Sequence, residues 1–235
     1  MSGSENQGER ERKTQERVQH QVNEQAGIGE AAFSGGGTLL TEPILVVNQK
    51  TKIIELTNEY EVMDREGKKL GAIREVGQTT AKKVIRALTK FDQFLTHRYE
   101  IVDTSGAVLL SMTRPAKVFK STMVVSDAAG TEIGRIVQEN MIGKIHFGLE
   151  SGGMALGSIN AENWRAWNFN IKDPSGEEIA RITKTFEGIA RTLFTTADFY
   201  VVHVHRQLED PLRQLVIAAA VGVDTALKQD DRGLN

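Results

Sequence analysis

The sequence predicts a mostly β protein in which an antiparallel sheet closes into a barrel around one buried apolar helix. Two observations predict this fold. A hairpin-forming pattern recurs five times along the chain, and the most apolar stretch, "DPLRQLVIAAAVGVDTAL" at residues 210–227, lies near the C-terminus. A meander of hairpins leaves two strand edges unpaired and one apolar face uncovered. Closure of the sheet pairs the two edges with each other, and the enclosed helix covers the apolar face.

The first segment of the chain is polar. Residues 1–37 are rich in Glu, Gln, Arg and Gly, contain few large apolar side chains, and end in "SGGG". Such a composition cannot bury enough apolar surface to offset the conformational entropy lost on ordering. We therefore predict a disordered polar tail over residues 1–37, interpreted as a solvated spacer with a docking arm as the alternative, and a barrel domain over residues 38–230.

The repeated unit is an apolar strand, an Asp, two residues, a Gly and a second apolar strand. Four copies are "YEVMDREGKKLGAI", "YEIVDTSGAVLLSM", "MVVSDAAGTEIGRI" and "FNIKDPSGEEIARI", and "HFGLESGGMALGSI" is a weaker fifth. The Asp side chain can bond to its own backbone and the Gly can adopt positive φ, so each unit predicts a hairpin. A calcium loop is the disfavoured alternative, because calcium needs about six or more converging oxygen ligands.

Two basic segments follow the first and second hairpins. "GQTTAKKVIRALTKF" predicts a short basic amphipathic helix, and "TRPAKVFKS" adds cations at a strand edge. Residues 77–120 hold eight Lys/Arg and three Asp/Glu, so anionic head groups are a candidate ligand. The alternative is a helix that covers one barrel end while its lysines face water. The candidate lipid- or anion-binding residues are Lys82, Lys83, Arg86, Lys90, Arg114, Lys117 and Lys120.

The apolar stretch near the C-terminus predicts a helix over residues 211–228. Asp210 is a suitable cap, and Pro211 suits the first helical position. The uninterrupted apolar run over residues 215–223 is about half of the ~20 residues needed to span a bilayer. Because the helix is apolar on nearly every face, we predict that protein surrounds it. Its predicted core residues are Leu212, Leu215, Val216, Ile217, Ala219, Ala220 and Val223.

Other motifs give little support for catalysis. His203 and His205 alternate onto one strand face and would suit a metal only if a third ligand arrived from elsewhere. Trp164 and Trp167 in "NWRAW" are interpreted as one core residue and one that covers a strand edge, with an interfacial belt as the alternative. No nucleophile elbow, zinc-protease, phosphate-loop or dinucleotide motif occurs. We expect neither an enzyme nor a cofactor.

The composition limits the cellular compartment and the classes of binding partner that we expect for this protein. The 29 Lys/Arg and 31 Asp/Glu nearly cancel, so nucleic acid is the least favoured partner. The absence of cysteine excludes disulfides and thiolate chemistry and suits a reducing interior. The N-terminus lacks the apolar core of a signal peptide. We expect a cytoplasmic protein without a transmembrane span.

Four segments, taken in order, resemble a known family. They are "NEYEVMDREGKKLG", "RPAKVFKSTMVVSDAAGTEIGRI", "ENWRAWNFNIKDPSGEEIARI" and "TTADFYVVHVHRQLEDPLRQLVIAAAVGVDTAL". Over about residues 40–229 the chain resembles the phospholipid scramblase and LURP-one-related proteins of the tubby-like superfamily, in an actinobacterial-type form. The resemblance implies a closed barrel of about twelve strands around a C-terminal helix.

The resemblance also implies a function. Eukaryotic scramblases are associated with calcium-dependent phospholipid exchange through an acidic segment before the final helix. The matching segment, "ADFYVVHVHRQLED", offers Asp198, Glu209 and Asp210 as candidate calcium ligands. The chain departs from the family in lacking a cysteine-rich palmitoylation segment and a proline-rich N-terminal region. Tubby-like relatives bind phosphoinositide head groups through basic residues on the barrel.

Two functional hypotheses follow. The first is a non-hydrolytic, monomeric, scramblase-related barrel that binds or translocates phospholipids, peripherally at the inner face of the plasma membrane. The second is a soluble scaffold of the LURP-one type that recruits a protein partner without lipid transfer.

Overall fold

The computed structural model describes residues 12–13, 15–16, 33–50, 59–77, 96–115, 121–139, 146–163, 168–184 and 197–233. Within them lie twelve strands and one long helix. These are β1 (Ile44–Lys50), β2 (Glu59–Met63), β3 (Lys69–Val76), β4 (His97–Asp103), β5 (Val108–Arg114), β6 (Thr122–Asp127), β7 (Glu132–Gln138), β8 (His146–Ser151), β9 (Met154–Asn163), β10 (Asn168–Lys172), β11 (Glu178–Lys184), β12 (Ala197–Val204) and α1 (Leu212–Gly233).

The strands form one closed antiparallel barrel. Each strand pairs with its neighbours in chain order, and β12 pairs with β1 from Ile44 opposite His203 to Lys50 opposite Ala197. Closure removes both sheet edges, which would otherwise expose unpaired backbone groups. The predicted fold class is therefore confirmed.

All five predicted hairpins are present. Four of their turns use the predicted Asp and Gly chemistry, and the fifth has Gly152 and Gly153 at positive φ between Ser151 and Met154. In the first turn, Asp64 Oδ1 accepts hydrogen bonds from the backbone N–H of Glu66 at 3.0 Å and of Lys68 at 2.8 Å. Gly67 adopts a φ of 82°, which an L side chain would strain. The same pair of bonds recurs at Asp103, Asp127 and Asp173.

Antiparallel alternation gives the barrel two different ends. The five hairpins lie at one end, which we call the hairpin rim, together with the start of β1, the end of β12 and the start of α1. The six remaining connections, from β1–β2 to β11–β12, lie at the opposite end, which we call the connection rim. The two rims carry different kinds of chain segment.

The helix α1 fills the barrel. Every residue from 215 to 223 is buried, and the helix shares one apolar core with inward-facing strand residues. A Cβ added at Gly134 of β7 would lie 3.0 Å from Leu215 Cδ1, so helix and wall are in close contact. Of the predicted core residues, Leu212 is half-buried, and the buried ones are Leu215, Val216, Ile217, Ala219, Ala220 and Val223.

The start of α1 differs from the prediction. The helix begins at Leu212, one residue after Pro211, and continues to Gly233 rather than ending at residue 228. The Asp210 carboxylate does not cap backbone N–H groups: it accepts hydrogen bonds from the side chains of Arg213, at 3.1 and 3.2 Å, and Gln214, at 3.3 Å. Side-chain donors one turn ahead therefore replace the predicted cap. No helix in the described part of the chain combines the length and apolar character needed to cross a membrane.

A short strap, residues 33–43, leads into β1 across the hairpin rim. The Gly37 N–H donates to Glu42 Oε1 at 2.7 Å, and Leu39 is buried in the core. Phe33, within the predicted polar tail, is half-buried against the same core. Residues 12, 13, 15 and 16 are helical, and the rest of residues 1–32 lies outside the described part.

Candidate functional site

The predicted basic segments are attached to adjacent strands of the connection rim. Six of the predicted cations are outside the described residues, namely Lys82, Lys83, Arg86 and Lys90 between β3 and β4, and Lys117 and Lys120 between β5 and β6. The flanking strands are described and are successive neighbours in the barrel. Because neighbouring strands lie ~4.8 Å apart, both segments start and finish within a short arc of this rim.

Arg114, the seventh predicted cation, has a different environment from the one expected for a lipid contact. It is the last residue of β5 and only 2% exposed. It pairs with His97 across the sheet, on the inward face of β4 and β5. An arginine inside the barrel wall cannot meet a membrane surface directly, so we leave Arg114 out of the proposed lipid-contacting set.

Around Arg114 lies a group of buried polar side chains that we call the polar layer. It lines the inside of the connection rim on β3 to β7 and consists of Glu75, His97, Arg114, Ser121 and Gln138. Within it, His97 Nδ1 lies 2.6 Å from Glu75 Oε1, and both side chains are 3% exposed. Gln138 Oε1 accepts the Ser121 N–H at 3.2 Å.

The polar layer was not predicted, although the sequence contains a signal for it. Inward-facing residues alternate along a strand, so Ile73 and Glu75 of β3 share the inner face while Arg74 faces outward. A charged residue that occupies the same face of a strand as the buried apolar residues therefore predicts a polar side chain inside the barrel. Both Glu75 and His97 are almost fully buried, so their contact lies inside the barrel wall.

The three candidate calcium ligands do not come together. Asp198 lies near the start of β12, opposite Gln49, whereas Glu209 and Asp210 are exposed beyond its other end. At ~3.3 Å per residue, the six residues from Asp198 to Val204 separate the two positions by about 20 Å. Within the described ranges, no group of three or more acidic or histidine side chains could hold a metal ion.

The two histidines of the predicted metal motif form an edge contact on the outer wall. The rings of His203 and His205 lie 4.7 Å apart at an interplanar angle of 69°. Burial and, to a smaller extent, the charge of His205 lower the pKa of His203 to about 4, while Glu178 opposes the shift. The nearby Glu178 carboxylate is already bound by Arg181, at 2.6 Å, so it is not available as the missing third ligand.

Arg181 joins the outer faces of β9, β10 and β11. Its guanidinium contacts Glu178 and Glu162 at 2.6 Å each, and these contacts raise its pKa. Hydrogen bonds from Arg181 and Asn170 hold the pKa of Glu162 below its usual value. The network links three neighbouring strands, and the Arg181 guanidinium is already paired with two carboxylates. Trp164 and Trp167, between β9 and β10, are outside the described residues.

The fold and the polar layer define the class of the protein: a β-barrel whose interior is occupied by its own C-terminal helix. Residues 34–227 match the scramblase family model, so the chain belongs to the scramblase family. It is 23% identical over 186 residues to a phospholipid scramblase family protein of Schizosaccharomyces pombe, covering 72% of this chain and 48% of that protein.

A second relative comes from Saccharomyces cerevisiae. The chain is 22% identical over 217 residues to its altered inheritance rate of mitochondria protein 25, covering 79% of this chain and 65% of the relative. The chain thus spans about half of the first relative and just under two thirds of the second. No solved structure matches it significantly.

Proposed function

We propose that this protein is a peripheral phospholipid-binding barrel that meets the inner face of the plasma membrane with its connection rim. The observation that carries the proposal is the attachment of both basic segments, residues 82–90 and 117–120, to adjacent strands of that rim. Basic residues near an anionic surface contribute up to ~1 kcal/mol each. The absence of cysteine suits a reducing compartment such as the cytoplasm.

The opposite rim has the opposite charge. In its turns and the strand residues that directly flank them it carries ten carboxylates against five cations, Arg65, Lys68, Lys69, Lys172 and Arg206; the carboxylates are Asp64, Glu66, Asp103, Asp127, Glu132, Asp173, Glu177, Glu178, Glu209 and Asp210. Strands of seven residues are about 20 Å long, which at the usual ~40° tilt of barrel strands separates the rims by about 15 Å, nearly twice the ~8 Å Debye length at physiological ionic strength. An anionic membrane would therefore attract the connection rim and repel the hairpin rim.

Three arginines of the barrel wall are engaged by neighbouring carboxylates. Arg74 contacts Glu100 at 2.7 Å, and Arg135 contacts Glu132 at 2.7 Å. Arg181 is held by two carboxylates. Attraction to anionic lipids is thus expected at the rim rather than along the wall.

The name of the Schizosaccharomyces pombe relative supports phospholipid as the ligand class. The structure also constrains how lipid could move. Because α1 occupies the interior, a lipid would have to travel along the outside of the barrel. We therefore propose lipid binding as the primary activity and treat exchange between leaflets as a separate question for experiment.

Sedimentation with vesicles of phosphatidylserine and phosphatidylcholine tests the proposal. The triple variant K82A/K83A/R86A should bind anionic vesicles up to about 100-fold more weakly, since three cations near the surface are lost. The matched control R65A/K68A/K69A removes three cations from the hairpin rim and should bind like the parent. Equal losses in both variants, or parental binding to pure phosphatidylcholine, would overturn the proposal.

A fluorescent-lipid exchange assay on the same vesicles, with and without calcium, separates binding from scrambling. Binding without exchange supports a lipid-binding barrel. Absence of vesicle binding, combined with capture of a protein partner in the absence of membranes, would instead support the scaffold function.

A further inference from the structure

A pocket of about 190 Å³ lies at the hairpin rim, between the strap, the segment after β12 and the start of α1. We propose that this pocket binds the alkyl chain of a small single-chain amphiphile with an uncharged hydroxyl head group. The proposal is independent of the proposed function, because the pocket and the basic segments lie at opposite rims.

Five apolar side chains form part of the wall of the pocket. Val204, Leu208 and Ile217 contribute from the barrel and helix side, with exposures of 4%, 3% and 5%. Phe33 and Leu40 face them from the strap, and both are half-buried. An apolar cavity of ~150 Å³ is large enough for benzene, so this pocket can hold a chain of about six carbon atoms.

The strap that covers the pocket is held in place by close packing. A Cβ at Gly36 would lie 2.6 Å from Thr41 Oγ1, and one at Gly35 would overlap the Glu42 carboxylate. Glu42 in turn accepts the Gly37 N–H. The consecutive glycines therefore let the strap fold onto Thr41 and Glu42, which also line the pocket.

The charges at the pocket favour an uncharged head group. Arg213 lines the pocket, but its Nε and Nη2 atoms donate to Asp210 at 3.2 and 3.1 Å. Glu42, the one carboxylate among the lining residues, balances Arg213. A carboxylate or phosphate would lie beside Glu42 and an ammonium beside the Arg213 guanidinium, so either charged head group meets a like charge, whereas a hydroxyl can bond to Arg213 Nη1 or the exposed Gln207 amide at no Coulombic cost.

The experiment is a titration of the full-length protein with 1-hexanol, hexanoate and hexylammonium, followed by methyl NMR. 1-Hexanol should shift the methyl signals of Val204, Leu208 and Ile217 and bind more tightly than either charged analogue. Tighter binding of hexanoate or hexylammonium than of 1-hexanol would contradict the proposal that the ligand has an uncharged head group. Monohexanoylglycerol, tested in parallel, distinguishes a glyceride from a simple alcohol as the source of the chain.

Two tryptophan variants locate the site. Gln207→Trp places a large ring at the pocket mouth and should weaken 1-hexanol binding by about tenfold or more. Thr104→Trp, in an exposed turn of the same rim, should leave it unchanged. Equal affinity in the parent and in Gln207→Trp would overturn the proposal, as would no binding to the parent. Vesicle binding through the connection rim should be the same in both variants, which separates this test from that of the proposed function.

Discussion

At the scale of single residues, the face of the strand on which a charged side chain lies decides whether it is solvated or buried. Arg74 and Glu75 are neighbours in the sequence but face opposite sides of β3. Arg74 pairs with Glu100 on the outer wall, where the side chains are 44% and 25% exposed. Glu75 pairs with His97 inside the barrel, where both are 3% exposed. Strands β3 and β4 thus carry one solvated and one buried contact between ionisable side chains. The contributions of the two contacts to stability can therefore be compared directly.

Glu75→Ala should lower the free energy of unfolding by about 3 kcal/mol, because it removes a carboxylate bonded to a buried histidine. Glu100→Ala, the matched control on the outer wall, should cost less than about 1 kcal/mol, because water solvates the remaining arginine. Urea denaturation of both variants checks the difference. Similar losses would show that the interior contact contributes no more than a surface ion pair.

His203 is a half-buried histidine whose titration should affect acid stability. Its folded pKa of about 4 lies below the unfolded value of 6.5, chiefly because of burial. Its Nε2 atom is buried and has no hydrogen-bond partner among the described residues. Between these two pKa values the unfolded chain binds a proton that the folded chain does not. Stability from this site is therefore complete above pH 6.5 and falls as the pH drops towards 4.

His203→Gln should flatten this acid dependence, because glutamine does not titrate. Thermal unfolding measured from pH 7.5 down to pH 4 should show a smaller fall in Tm for the variant than for the parent. The value at pH 7.5, where His203 is neutral in both states, serves as the control for any packing effect of the substitution. Parallel curves for the two proteins would contradict the role assigned to His203.

At the scale of elements, the hairpins and the helix form for different reasons. Four hairpins are specified locally by an Asp that binds two backbone N–H groups and a Gly at positive φ, and the fifth by Gly152 and Gly153 at positive φ, so all five could be predicted. The burial of α1 could be predicted from its apolar surface, but its start could not. Arg213 and Gln214 compete for the Asp210 carboxylate and replace the expected backbone cap.

Two glycines at the interface of helix and barrel should respond oppositely to alanine. In Gly134→Ala the new Cβ would overlap the Glu150 carbonyl and press on Leu215, so we expect a loss of about 1–3 kcal/mol. In Gly222→Ala the nearest atoms are the flexible ends of Ile136 and Met123, at 3.4 and 3.6 Å. Higher helix propensity should then raise stability by up to about 1 kcal/mol. Denaturant titrations that showed the same sign for both variants would contradict this packing.

At the scale of the whole molecule, the barrel brings segments from distant parts of the sequence to its two rims. The hairpin rim combines acidic turns, the strap and the start of α1, and the connection rim combines the polar layer with the strand ends that flank the basic segments. This separation of charge underlies the proposed orientation on a membrane. It depends on closure, because β1 and β12 meet only in the folded barrel.

Removal of α1 by truncation after Pro211 should abolish cooperative unfolding. The inward apolar residues of the strands would lose the element that fills the space between them, and close packing would fail. Calorimetry should show no sharp transition, and a dye that binds exposed apolar surface should fluoresce strongly. Addition of a peptide of residues 212–235 should restore the transition. A truncated chain that unfolds as cooperatively as the parent would contradict a structural role for the helix.

The sequence by itself determined the features that depend on neighbouring residues: four hairpins with Asp–Gly turns and a fifth with a Gly–Gly turn, and a helix whose apolar run is too short to span a bilayer and whose faces are too apolar for a protein surface. It also determined that the basic residues cluster along the chain. Only the tertiary structure decided which residues face inward, which rim each connection occupies, and that Arg114 lies with Glu75 and His97 inside the wall while Asp198 lies far from Glu209. The physical reason is that strand phase and barrel closure are set by pairing between distant segments, whereas turn chemistry acts within a few residues.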